Sequence, residues 1–337
     1  MKTTIAVAFF LLAISFVSSA HADTFGSGSN IFEIEFVNIG NPGNPNDDIV
    51  RRTFGSVGYD FRMAKYEISE SMMDVANSNG DLGISYFPFR QGGWGPNKPV
   101  SGLSWLDAAG FVNWLNSSTG HTPAYKFSPN GTFQLWQLED AGYDSENPYR
   151  NRLSRYFLPS LDEWYKAAFY DPDVEDYYAY ATGSDTVPSP VSEGTDSGTA
   201  VYLLGNAEGP ADIAQAGGLS PYGTMAQNGN IHELLETEFD LINDSALPSV
   251  QMMVRGGMYV SQDYVLTSTW QSFVSRDFKS NSSGFRVASI IPEPTTYTLA
   301  LVALCLAMSR RQTNLSSASL DTGSITTNPS YRSLESL

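Results

Sequence analysis

Cys305 is the only cysteine of the 337-residue chain, and it sits inside an apolar stretch near the C-terminus. Everything upstream must therefore fold without a disulfide, and must do any chemistry without a thiolate as nucleophile or metal ligand. Such a chain is held together by its own apolar burial. The segment Asp23 to Ile290, about 268 residues, is long enough for one large domain or two small ones. Aromatic residues at 13% and charged residues at 16% describe a packed globular protein, not a disordered one. Histidine is nearly as scarce as cysteine: His21, His121 and His232 are the whole supply. A formal charge of −17 excludes nucleic acid and anionic lipid headgroups as partners and suits divalent cations.

Both ends read as addresses. Met1-Lys2 is a basic start, Ile5 to Val17 is almost unbroken apolar sequence, and Ala20-His21-Ala22 supplies an A-x-A site. This predicts a secretory signal peptide over 1–22, cleaved before Asp23. Its apolar core falls short of the roughly 20 residues that a membrane span needs. Removing it also removes His21, so one copy of the chain cannot build a three-histidine metal site. At the far end, Ile291-Pro292-Glu293-Pro294 leads into the apolar run Leu299 to Met308 and then Arg310-Arg311. That order resembles the PEP-CTERM sorting tail of exported bacterial proteins. The resemblance implies a membrane protease that cuts near the Pro-Glu-Pro and releases or reattaches the protein outside. A single-pass anchor is the alternative. The expected organisation is a signal peptide over 1–22 and one domain over 23–290. A sorting segment with a short apolar helix covers 291–311, and a Ser/Thr-rich disordered tail covers 312–337. The expected location is the cell surface or extracellular matrix, with membrane contact only through the two end segments.

Within the domain, Gly, Pro, Asn and Ser are scattered throughout, which predicts short strands and many loops. Two helices are well marked. Ser104 with Asp107 forms a capping pair ahead of Trp105, Ala108, Ala109, Val112 and Leu115 at helical spacing. Ser160 with Glu163 forms an S-x-x-E capping box before Trp164, Ala167 and Ala168, and Asp171-Pro172 marks the helix end. A third helix is predicted from near Ser69, after a strand over Phe61 to Ile68. The fold class is α+β with a large irregular fraction.

Six segments then occur in a telling order. They are Met63-Ala64-Lys65-Tyr66-Glu67-Ile68, Pro99-Val100 through Ala109 to Trp114-Leu115, and Leu158-Pro159-Ser160 with Glu163-Trp164. After these come Gly229-Asn230-Ile231-His232-Glu233-Leu234, Arg255-Gly256-Gly257 and Gly284-Phe285-Arg286. Together they resemble the formylglycine-generating (sulfatase-modifying factor) family. The resemblance implies a single elaborated C-type-lectin-like domain rich in irregular loops. Members that oxidise a sulfatase cysteine to formylglycine use two copper-holding cysteines, five residues apart, shortly after R-G-G. Counted from Arg255, those places fall at Ser261 and Leu266, so copper is not expected. The histidines are too few for the three-histidine iron site of the superfamily's other branch, so iron is not expected either. A hydroxyl is a poor copper(I) ligand and an isobutyl group is none.

The same resemblance implies a structural calcium held by Asn228, the carbonyls of Gly229 and Ile231, and the carboxylate of Glu233. The plain reading of that segment is a turn before a strand. His232 stands where the family carries tryptophan, which suggests packing. Arg255 and Arg286 read as loop-pinning residues rather than anion binders, and the acidic clusters at Asp144 to Glu146 and Asp171 to Asp176 read as solvated loops. Two functions follow. One is a non-catalytic module that binds carbohydrate, peptide or protein outside the cell. The other is an oxidoreductase or other enzyme working by unrecognised chemistry in the same pocket. A deep polar cleft around Ser261, Trp270 and Arg276 would favour the enzyme, and a filled or shallow surface the module.

Overall fold

The computed structural model describes residues 21–48, 53–87 and 90–291. The predicted signal peptide up to residue 20 and the sorting tail from Pro292 onward lie outside them. Two small sheets and three helices carry the architecture. The first sheet runs in the order His21–Ser27, Asn30–Ile39, Phe61–Ala64, Ala288–Ile290, Tyr156–Phe157, antiparallel throughout. A strand from the end of the domain thus lies between segments from its beginning and middle, which closes the fold. The second sheet runs Ser272–Ser275, Gln251–Arg255, His232–Glu238, Ser283–Gly284, and only its last pair is parallel. Three two-stranded ladders and several isolated bridges add to these among the described residues. The expected α+β class with extensive loops is what is found.

The helices begin where the sequence places them. Helix α1 spans Glu70–Gly80, and the Ser69 hydroxyl accepts from Met72 N. Helix α2 spans Trp105–Ser118 and α3 spans Leu161–Phe169, each with both bonds of its capping box formed. Such a cap contributes about 1 kcal/mol and fixes the first turn. Trp105, Ala108, Phe111, Val112 and Leu115 of α2 are all buried in the main core with the first sheet. The opening strand is shorter than predicted, because pairing stops at Ala64. Beyond it Lys65 N bonds Glu35 O, and Ile68 exchanges bonds with Phe285 and Val100 instead of one partner strand.

Strand His232–Glu238 positions the site. Leu234 joins the main core while its neighbour Leu235 joins a second core made by α3, with Trp164, Tyr165 and Phe169. Alternate residues enter opposite apolar layers, so the strand is buried on both faces. Its acidic side chains are buried with it.

Candidate functional site

The segment leading into this strand needs two left-handed residues in succession, Gly229 at φ 91° and Asn230 at φ 58°. A Cβ on Gly229 would lie 2.1 Å from the Val201 carbonyl oxygen, so no other residue fits. Asn tolerates the left-handed region, and its side chain is used fully here. Asn230 Oδ1 accepts from Ala211 N at 2.8 Å, and Nδ2 donates to Glu67 Oε2 at 2.6 Å.

This turn delivers Glu233 to the centre of the domain at 0% exposure. Arg286, equally buried, meets it as a two-pronged pair: Nε donates to Oε2 and Nη2 to Oε1, both at 2.6 Å. Trp164 Nε1 donates to Oε2 at 2.8 Å. The remaining Arg286 protons reach the carbonyls of Ala64, Lys65 and Met225. One guanidinium therefore ties the opening strand, the turn and the second sheet together. Glu67 completes the cluster. Burial first, and then the charge of Glu233, push its carboxyl well above the usual range. Burial beside the ion pair thus favours its protonated form, and its Oε1 has no hydrogen-bond partner.

Two of the expected calcium ligands are engaged within the protein. Glu233 already faces an internal cation and carries three donors. Asn228 turns its amide Nδ2 toward Leu266 O and Gln227 O, and only its Oδ1 is left without a partner. Among the described residues no group of three or more His, Cys, Asp or Glu is gathered to hold a metal. Calcium needs several hard oxygens, carboxylates foremost, around one point. In this arrangement Glu233 is the ion-pair partner of Arg286, and a calcium held by Glu233 with Asn228 and the carbonyls of Gly229 and Ile231 stays a proposal for a chelator test.

The two positions counted from Arg255, Ser261 and Leu266, have different structural uses. Ser261 closes a turn, with its Oγ accepting from Met258 N at 3.0 Å and its N donating to Met258 O at 2.8 Å. Leu266 is 1% exposed and sealed among Tyr180, Ala200, Tyr202 and Val265. Trp270 stacks on His232 at 5.3 Å and 14°. Arg276 lies elsewhere, buried among Trp105, Phe133 and Tyr149, where it donates to the Tyr149 hydroxyl and to Leu247 O. Ser261, Trp270 and Arg276 therefore do not converge. Two surface cavities, of about 550 and 520 Å³, are lined by other residues.

Arg255 is buried in an aromatic box, 5.5–5.8 Å from the rings of Trp164, Tyr165 and Phe169, with Nη2 on Ser268 O. Burial pushes its pKa down to about 10. Both signature arginines thus pin the fold, as expected, though Arg255 does so through one carbonyl and aromatic faces rather than a carboxylate. For His232, burial pushes the imidazole pKa down to about 4 from 6.5. A pKa depressed on folding contributes stability that is intact above pH 6.5 and is lost as pH falls toward 4. Thermal melts between pH 7.5 and 4.5 should therefore show a larger drop for the native chain than for His232→Gln. Equal drops would mean that the imidazole titrates freely.

One cluster escaped the sequence reading. Arg150 pairs with two buried carboxylates. Nη1 and Nη2 reach Glu163 Oε1 and Oε2 at 2.8 Å, and Nε reaches both oxygens of Glu236 at 2.9–3.0 Å. Tyr59 adds its hydroxyl to Glu163, and Tyr125 and Asn147 add donors to Glu236. Burial alone raises the Glu163 carboxyl, but Arg150, Tyr59 and the Ser160 N–H outweigh it and leave its pKa lowered. Glu163 is thus both helix cap and ion-pair residue. Only the cap is local enough to be read from sequence.

A single α+β domain pinned by two buried signature arginines, one of them in an ion pair with Glu233, defines the class. Residues 55–291, well over half of the chain, match the sulfatase-modifying factor enzyme 1-like domain, and the chain belongs to that family. No curated relative matches it. Among solved structures, Treponema denticola variable protein 1 is similar with a TM-score of 0.55 at 17% identity, over 80% of this chain and 99% of its own. CarF is similar with a TM-score of 0.53 at 20% identity, over 77% and 99%. PvdO from Pseudomonas aeruginosa gives 0.49 at 15%, over 80% and 98%. At these identities the likeness is one of fold alone.

Proposed function

We propose that this chain is an exported, non-catalytic binding member of the sulfatase-modifying factor family, acting at the cell surface or in the extracellular matrix. Leu266 carries the reading. It stands at a counted cysteine place, 1% exposed among apolar and aromatic side chains, where a copper-thiolate centre would need two soft donors facing an open position. The Ser261 hydroxyl, tied into its own turn, supplies no second donor. The two end segments, one reading as a signal peptide and one as a sorting tail, support export. A lectin-like scaffold stripped of its redox centre retains surface loops, which is where binding function resides. The test is copper(I) titration against a chromophoric competitor. The native chain is expected to withdraw no stoichiometric copper, whereas the Ser261→Cys, Leu266→Cys double variant gains a site if the register is right. A tight site in the native chain that vanishes with Ser261→Ala would contradict the reading.

A further inference from the structure

The cavity of about 520 Å³ opens between the turn at 56–59, the loop at 144–154 and the start of α3. Its floor is the Arg150 network: Arg150 and Glu163 line it, and Phe157 lies 3.8 Å from the guanidinium. Tyr59 lines the same space. The residue is 50% exposed, yet its hydroxyl is fixed on Glu163 Oε1 at 2.6 Å and its ring meets Phe61 edge-on at 6.2 Å. A ring anchored at its polar end, with half its surface left in water, contributes little to packing and is preorganised as a platform. Ser154 gives a second, independent observation. It is 2% exposed and lines the cavity, and its Oγ has no hydrogen-bond partner. A buried hydroxyl is rarely left unpaired unless something else completes it.

We propose that this cavity is a subsite for a neutral saccharide ring. A sugar presents an apolar C–H face and a rim of hydroxyls, which match an aromatic platform beside polar groups that both donate and accept. Asp162 adds an acceptor whose Oδ1 is steadied by Gly55 N at 2.8 Å. The carboxylates of Asp144, Glu146, Asp162 and Glu163 outnumber the cations Arg150 and Arg152 in the lining, which disfavours sulfated or uronic sugars. Glu163 is already matched by Arg150, so the site does not depend on a cationic ligand either. This inference rests on the binding-module reading and names its ligand class and place.

The test starts with the purified full-length chain on an array of neutral, uronic and sulfated oligosaccharides, with a lysine-rich peptide beside them. Binding confined to neutral glycans is expected. Calorimetry on the bound glycan should show Tyr59→Ala weakening affinity about tenfold, the scale of a lost aromatic platform, while Tyr59→Phe keeps most of it. Ser154→Ala should weaken binding less, and Phe278→Ala, a surface aromatic away from this cavity, should change nothing. If Tyr59→Ala does not fold, Tyr59→Leu serves in its place. Silence from every neutral glycan, binding only to acidic glycans or to the peptide, or affinity unchanged in the Tyr59 variant would each overturn the proposal. None of these results bears on copper uptake, so failure of the subsite and failure of the non-catalytic reading are told apart.

Discussion

Replacing Arg286 by alanine is expected to cost about 3–5 kcal/mol, the typical loss when one partner of a buried ion pair is removed. That is a large share of the roughly 5–15 kcal/mol holding a whole domain, so the variant should be marginal or unfolded. The cause is specific. Glu233 would be left at 0% exposure without its cation, keeping the Trp164 Nε1 bond, and the carbonyls of Ala64, Lys65 and Met225 would lose a donor. Glu67, an acid itself, supplies no replacement cation. Glu233→Gln should be nearly as damaging, because it leaves the guanidinium buried against a neutral amide. Guanidinium chloride titrations of the full chain and both variants would measure the losses. Adding a calcium chelator to the native chain should leave its midpoint where it was. A loss under about 1 kcal/mol for Arg286→Ala, or a chelator that reproduces the Glu233→Gln loss, would favour the calcium reading.

Arg150→Ala should be comparably severe, again about 3–5 kcal/mol at pH 7, and its pH dependence is diagnostic. Glu163 and Glu236 are at most 1% exposed, and both face the same guanidinium. In the native chain Glu163 has a lowered pKa, so its contribution is present above pH 4.5 and is lost as pH falls. Without Arg150, burial is opposed only by the Tyr59 hydroxyl and the Ser160 N–H, so the pKa of this carboxyl rises. The variant is then least stable at neutral pH and recovers relative to the native chain on acidification. Denaturant titrations at pH 7.0 and 4.5 should show the gap between the two proteins narrowing. A gap that widens toward pH 4.5 would mean that Arg150 acts through packing on Phe157 and not through charge.

What the sequence made legible is what is local. Ser104 with Asp107 and Ser160 with Glu163 lie three residues apart, and their capping bonds form wherever the helix starts. The family resemblance rested on six ordered segments and placed the fold correctly. It could not say which side chains meet. Glu233 and Arg286 are 53 residues apart in sequence, and Arg150 and Glu236 are 86 apart. No periodicity or turn chemistry links such pairs. Hence the Arg286 partner of Glu233 is not legible in sequence, where residue type is visible but partners are not. The hairpin that opens the first sheet was missed for a related reason. Its first residues, His21 and Ala22, overlap the small-residue cleavage pattern, while Asp23 right after them is tied to Arg62 at 2.6 Å.

The central claim is that this family member has kept the scaffold and lost the redox chemistry. Its most direct test is incubation of the full chain with a sulfatase-type Cys-x-Pro-x-Arg peptide, copper(I) and oxygen, followed by mass spectrometry. A cysteine-bearing family member serves as positive control. The expected result is an unchanged peptide mass at every time point, even if the peptide binds. Loss of mass at the cysteine above the protein-free blank, abolished by Ser261→Ala, would show that the site is catalytic after all.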